Sequence, residues 1–209
     1  MTTGYLVVPE LFTATEVDRL RTAAEQVHAE VVAAAESGET EVTVWPDGHR
    51  LEEIRGTTIH WEPDAPGKAV RSLAPVAHLH PALASLWTEP RLTSPMSELI
   101  GAEVGPFVSK LNFKRAGVGS EFAWHQDFPY WYCCAGDPAY EIATAIVMLD
   151  DNTVENGAMT LMFPGLMVHR SAPNRTATDR RSLLFCFQPA GRPELSALTY
   201  DAERLAELP

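Results

Sequence analysis

Two imidazoles and one carboxylate can hold a first-row metal from one side and leave the other side open, and this chain offers such a set in His125, Asp127 and His169. Residues two apart on a strand share a face, so His125 and Asp127 are expected to project together while Gln126 points away. His169 must then arrive from a distant strand. That arrangement is the facial triad of a non-haem Fe(II) oxygenase, because three protein ligands leave positions for a cosubstrate and oxygen that a closed four-ligand site does not. The bare pattern His-x-Asp is common, and taken alone it is more simply explained by structural histidines. The flanks add chemistry. Eleven residues after His169 stands Arg180, followed by Arg181 and the apolar run Ser182 to Phe187, which reads as a buried strand. An arginine at the start of such a strand can hold a dicarboxylate through a bidentate, charge-assisted pair, with the Ser171 hydroxyl as a second donor.

The elements that would position these residues begin near Val104, where the chain turns to strands separated by turns. Phe107 to Lys114 alternates, Glu121 to Asp127 carries the first ligands, and Glu141 to Leu149 is a β-branched run suited to a strand buried on both faces. Ala158 to Leu161, Leu166 to His169 and Ser182 to Phe187 complete about six core strands. Ahead of them, Tyr5 to Val8 reads as a short strand. Thr13 and Glu16 form a capping box, and Val17, Leu20, Ala24, Val27 and Val31 predict a helix to about Ser37, stopped by Gly38. Glu41 to Trp45 and Ile54 to Trp61 are expected to be strands around a turn at Pro46-Asp47-Gly48. Residues 68–100 read as helical pieces broken near Pro81 and Pro90, with Pro95 admissible in a first turn and Gly101 as a stop. His78 and His80 fall in these pieces, where a spacing of two splits the faces and argues against a metal site. The tail beyond Pro189 is polar, with a helical turn near Ala202 to Leu208. The expected fold is mainly β with flanking helices (α+β), its core a distorted jelly roll with ligands pointing into the mouth. One domain covers 1–209: a helical and strand support over about 1–103, the β core over about 104–188, and a tail over 189–209.

The segments Lys110-Leu111-Asn112-Phe113-Lys114, His125 to Trp131, Glu155-Asn156-Gly157 and His169 to Thr176, closing on Arg180-Arg181, resemble the phytanoyl-CoA dioxygenase family of Fe(II)/2-oxoglutarate oxygenases. The likeness runs over about 104–188. It implies a double-stranded β-helix core of the cupin type, with Fe(II) on His125, Asp127 and His169. It implies 2-oxoglutarate chelating the iron through its keto acid end, with the far carboxylate on Arg180 and Ser171, and Lys110 and Asn112 lining that pocket. Oxygen and decarboxylation of the cosubstrate to succinate would then drive hydrogen removal from a substrate. Asp127 matters for reaction type, because related halogenases have a small residue there, so hydroxylation or another hydrogen-abstraction outcome is expected. The family core has eight strands, and the shortfall sits at Met162-Phe163, where sequence resembling the end of one strand runs straight into the approach to His169. A lid segment missing from the sequence and a natural deletion giving a more open barrel both explain that junction.

With 16 Lys and Arg against 28 Asp and Glu, the formal charge is −12, and no basic run suggests nucleic acid or an acyl-CoA. No apolar stretch approaches the roughly 20 residues of a membrane span, and the start lacks a leader pattern, so a cytoplasmic location is expected. Three cysteines without zinc-like spacing, Cys133, Cys134 and Cys186, point to reduced thiols. In the aromatic cluster Phe128 to Tyr132, Tyr130 and Trp131 are candidates for a substrate pocket. Arg170 should face away from the site, and Asn174 reads as a turn former. The reading is an oxygenase acting on an unactivated C–H bond of a small molecule in specialised metabolism, and the alternative is a cupin-like metal-binding or structural protein without turnover. Substrate, position attacked, hydroxylation against epimerisation, desaturation or cyclisation, and monomer against dimer stay open.

Overall fold

The computed structural model describes residues 5–44, 50–63, 65, 69–157 and 163–208. The strand expected at Ala158 to Leu161, the turn at Pro46 to Gly48 and the junction at Met162-Phe163 lie wholly or partly outside them. Helix α1, Ala14–Ser37, starts as its sequence dictates: the Thr13 hydroxyl accepts from the Glu16 amide at 3.3 Å, and the Glu16 carboxylate accepts from the Thr13 amide at 2.8 Å. It ends at Gly38, whose φ of 78° turns the chain out of the helix.

Strands β1 (Glu41–Val44), β2 (Arg50–Ile54), β3 (Thr57–Trp61) and β4 (Val70–Ala74) lead through helices α2 (Pro81–Ala84) and α3 (Pro90–Ile100) to β5 (Val104–Lys114). Then come β6 (Phe122–His125), helix α4 (Phe128–Ala135), β7 (Ala143–Met148), β8 (Phe163–Pro164), β9 (His169–Ser171) and β10 (Arg180–Pro189). One antiparallel sheet has the order β1-β2-β3-β4-β5-β10-β7-β8, and β6 and β9 form a separate two-stranded ribbon. Six of these strands fall between Val104 and Pro189, in an α+β fold.

Several expectations need correcting. Tyr5 to Val8 makes a single bridge at Leu6 and no strand. Ile54 to Trp61 is split between β2 and β3 by Arg55 and Gly56, whose φ values of 51° and 76° make a tight hairpin turn. Arginine at the first turn position gave no signal of it. Val70 to Ala74 is a strand where helix was expected, its Ser72 and Leu73 paired to β5. Pro95 stands inside α3, five residues after its start.

Alternation along β10 decides which chemistry faces where. Leu183, Phe185 and Phe187 join Leu111 and Phe113 of β5 in a core closed by Leu20, Ala24, Val27 and Val31 of α1. A one-residue slip would carry Arg180 and Ser182 into this apolar core and take Leu183, Phe185 and Phe187 out of it, which pins the register. Arg180, Ser182, Leu184 and Cys186 therefore face the other side, with Lys110 and Asn112 of β5 beside them. A second apolar cluster there gathers Phe107, Val108, Phe128, Trp131 and Cys186. All three cysteines are buried and unpaired. His80 caps α2, its Nδ1 accepting from the Ala82 amide at 3.1 Å, and His78 meets the Arg55 carbonyl at 2.9 Å. Both are structural. No helix among the described residues is long and apolar enough to cross a membrane.

Candidate metal centre

The ribbon sets His125 directly opposite His169, with ring centroids 4.1 Å apart. With Asp127, their ligand atoms all lie within 4.8 Å of one another. Each imidazole is oriented by its own strand: Nδ1 of His125 donates to the Ala123 carbonyl at 2.7 Å and Nδ1 of His169 to the Met167 carbonyl at 2.9 Å. A carbonyl only accepts, so Nδ1 carries the proton and Nε2 is the atom left with a lone pair for a metal. Burial lowers the pKa of His169, partly opposed by Asp127, which favours the neutral ring that a metal needs.

Asp127 reaches the same point by a route that alternation did not foresee. Strand β6 ends at His125, and Asp127 is the residue on which α4 begins, in helical rather than extended conformation. Its carboxylate makes no capping bond to α4. One oxygen lies 3.8 Å from His169 Nε2 and the other 3.8 Å from Lys110 Nζ. Burial works against the Lys110 ammonium, and the Asp127 carboxylate, with Cys186 and Tyr130 behind it, outweighs burial, so the Lys110 pKa is raised.

A cavity of about 270 Å³ extends from these ligands and is lined by Lys110, Asn112, Ser171 and Arg180, together with Phe122 and Leu184. A polar row crosses three strands of its floor, where His60 pairs with Ser72 and Ser72 with Asn112, and continues to the fully buried Ser182 of β10, the partner of Asn112. At the end away from the ligands Arg180 is 2% exposed, and burial pulls its guanidinium down to about 10. One arm donates to the Gly157 carbonyl at 2.9 Å, while Nε and the nearby Ser171 hydroxyl are buried without a hydrogen-bond partner. Two orphaned donors beside a cation fit a carboxylate, and the ligand set fits a divalent 3d metal. Gly157 explains the Glu155-Asn156-Gly157 segment. A Cβ there would stand 2.1 Å from the Ala172 carbonyl oxygen, so only glycine lets the chain pass close enough to receive Arg180. Arg181 faces the opposite way, with its Nε and one arm on Asp150 at 2.8 and 2.7 Å and its other arm on Glu25 at 2.8 Å.

The structure thus brings together His125, Asp127, His169, Lys110, Asn112, Ser171 and Arg180, and it puts the two aromatic candidates elsewhere. Trp131 is fully buried, edge-on to Phe107 at 5.8 Å, and Gly165 lies so close to its ring that a Cβ would come within 2.5 Å. Tyr130 is half exposed and stacks on Tyr200 at 5.6 Å. Neither lines the cavity. Arg170 does face outward, over the Trp124 ring at 4.9 Å. Asn174 is a tie as well as a turn former, its side-chain amide donating to the Lys114 and Thr178 carbonyls at 2.8 Å. Sequence reasoning missed Arg71 and His60 on the cavity wall, because β4 was read as helix and β3 lay far from any ligand, and it missed Phe122 within the strand read as carrying the first ligands. With Arg71, Lys110 and Arg180 against Asp127, the cavity is more cationic than the composition suggests.

The profile of the phytanoyl-CoA dioxygenase family (PhyH) matches residues 2–163, which includes His125 and Asp127 and stops short of His169 and Arg180. Ectoine dioxygenase of Bordetella parapertussis is 35% identical over 139 residues, 65% of this chain and 44% of that protein. Ectoine dioxygenase of Sphingopyxis alaskensis is 29% identical over 205 residues, 98% of this chain and 58% of that protein. The chain therefore spans about half the length of the curated relatives it matches. The crystal structure of EctD from S. alaskensis with 2-oxoglutarate and 5-hydroxyectoine superposes with a TM-score of 0.71 at 24% identity, covering 89% of this chain and 72% of that one.

Proposed function

Because the chain belongs to the phytanoyl-CoA dioxygenase family, we propose that it is an Fe(II)/2-oxoglutarate-dependent dioxygenase that hydroxylates, or otherwise oxidises, an unactivated C–H bond of a small molecule in specialised metabolism. The observation that carries this reading is the convergence of His125, Asp127 and His169 at one end of a cavity whose other end holds the orphaned donors of Arg180 and Ser171. Fe(II) held there would supply oxygen activation: one O2 and one 2-oxoglutarate give succinate and carbon dioxide, and the second oxygen atom goes to the substrate in a hydroxylation. The protein's own contribution is positional. The two Nδ1–H bonds fix the imidazoles, Asp127 completes the set, and Arg180 with Ser171 binds the far carboxylate and so turns the keto acid end toward the ligands. Asn112 lines the path between. Phe122 and Leu184 keep water out.

The substrate itself is a small carboxylate-bearing or zwitterionic molecule. A metal ion with three cationic side chains and one carboxylate leaves net positive charge even after a dianionic cosubstrate is bound, and Lys110 lies on the ligand side of the cavity where a second anion would rest. Similarity to ectoine dioxygenases, named for a substrate of that kind, supports the same reading. The test is succinate formation from 2-oxoglutarate with Fe(II) in air, run against a panel of amino-acid-like substrates. A panel member that multiplies succinate yield and gains one oxygen atom is the expected result, and no succinate under any condition would sink the enzymatic reading.

A further inference from the structure

The ribbon that carries both histidines is held together by little: β6 and β9 pair at Phe122 with Ser171 and at His125 with His169, with an irregularity between. It is also a separate sheet from the one that carries Lys110, Asn112 and Arg180. Two cations join the two beneath the far end of the ribbon: Arg71 of β4, which donates to the Glu121 carbonyl at 2.7 Å, and, reaching both strands, a buried lysine, Lys114, only 1% exposed at the end of β5. Its ammonium donates to the Ser120 carbonyl at 2.7 Å, just ahead of β6, and to the Ser171 and Ala172 carbonyls at 3.3 and 2.6 Å, where β9 ends. An ammonium has three hydrogens, and three carbonyls from both strands take them. None is left for a carboxylate in the cavity.

We propose that Lys114 is the positioning residue of this centre: by fastening both strands of the ribbon to the main sheet it sets the spacing of His125 against His169 and of the Ser171 hydroxyl against Arg180. The inference rests on the metal reading given above. His169 and Ser171 share one face of β9, so a displacement at the Ser171 carbonyl is carried to both side chains. Arg180 is the direct cross-strand partner of Lys114 in the β5–β10 ladder, so the same residue is in register with the proposed anion clamp. Like charges in that relation repel, and burial with Arg180 and Arg71 brings the Lys114 pKa down to about 7. A surface-type lysine would not be kept in such a place, and the three carbonyls are what hold it there. The foothold on the β6 side is itself fixed by the buried Glu62, which accepts from the Ser120 amide at 3.2 Å and from its hydroxyl.

The experiment titrates Co2+ into the metal-free protein and follows its visible d–d bands, which requires no turnover. Lys114→Met keeps the length and apolar stem and removes all three donors. The expected result is Co2+ binding weakened by roughly 10- to 100-fold with altered bands, in a variant whose far-ultraviolet circular dichroism matches wild type at the temperature used. Unaltered Co2+ affinity and bands, with only a lower melting temperature, would make Lys114 a structural residue and overturn the proposal. Unaltered Co2+ binding with weakened 2-oxoglutarate binding would overturn it too, assigning Lys114 to the cosubstrate. Should Lys114→Met not fold, Glu62→Leu, which removes both acceptor oxygens from the Ser120 foothold, is read in the same way: weaker Co2+ binding supports the proposal and unchanged binding overturns it. Failure of the wild-type protein to bind Co2+ would overturn the metal reading itself, a result distinct from any of these.

Discussion

Alanine at His125, Asp127 or His169 is expected to reduce 2-oxoglutarate-dependent succinate formation to background. Three ligands are the minimum that fixes a metal while leaving room for a bidentate cosubstrate, so a site with two is both weaker and misarranged. The three variants should differ in stability, and that difference guards the interpretation. His125 is only partly buried, so His125→Ala removes less packing and should melt closer to wild type, whereas His169 is buried at 5% exposure and its loss leaves a hole under the ribbon. Asp127→Ala should additionally free Lys110, whose ammonium then lacks the carboxylate 3.8 Å away. Loss of turnover in His125→Ala with an unchanged melting temperature is therefore the cleanest outcome. Near-wild-type succinate formation in any of the three would remove that residue from the ligand set.

Arg180→Ala should instead spare the metal and raise the requirement for 2-oxoglutarate. Truncating one partner of a buried, hydrogen-bonded charge pair costs about 2–5 kcal/mol, which corresponds to roughly a thirtyfold to several-thousandfold rise in the cosubstrate Michaelis constant. The neighbouring arginine supplies the control. Arg181 is committed to Asp150 and Glu25 on the helix side of the sheet, so Arg181→Ala should lower the melting temperature and leave the cosubstrate requirement alone. Steady-state kinetics over a 2-oxoglutarate series distinguishes the two, and an unchanged Michaelis constant for Arg180→Ala would remove it as the clamp.

What the sequence yielded followed from local rules. The α1 cap is a local pattern that needs nothing beyond its own neighbours, and the continuous apolar run of β10 declares a buried strand. The ligand set was legible as residue types, but the reasoning that joined His125 to Asp127 assumed a continuous strand. The chain bends into α4 at Asp127, and the carboxylate still arrives because a helix start can aim a short side chain as well as a strand can. Tyr130 and Trp131 illustrate the reverse case. As residue types they suit a pocket, yet α4 turns Trp131 into the core against Phe107 and leaves Tyr130 on Tyr200 of the tail. Arg71 had no local signature at all, and Lys114, though it stood in the segment shared with Lys110 and Asn112, gave no sign of its three carbonyl partners, since both surroundings are assembled from β4, β5 and the ribbon only after folding. The Arg55-Gly56 turn escaped for a similar reason: the backbone there takes a left-handed conformation that arginine rarely signals.

The central claim is that one metal ion and one 2-oxoglutarate molecule occupy this cavity together, on His125, Asp127 and His169 at one end and on Arg180 and Ser171 at the other. Anaerobic addition of Fe(II) and 2-oxoglutarate to the metal-free protein tests it most directly, because a keto acid chelated to protein-held ferrous iron gives a weak visible charge-transfer band before any substrate is known. The account predicts that the band appears in wild type only with both components present, is absent in Asp127→Ala, and in Arg180→Ala needs a much higher 2-oxoglutarate concentration. A wild-type solution that stays colourless with both at saturating concentration would contradict it.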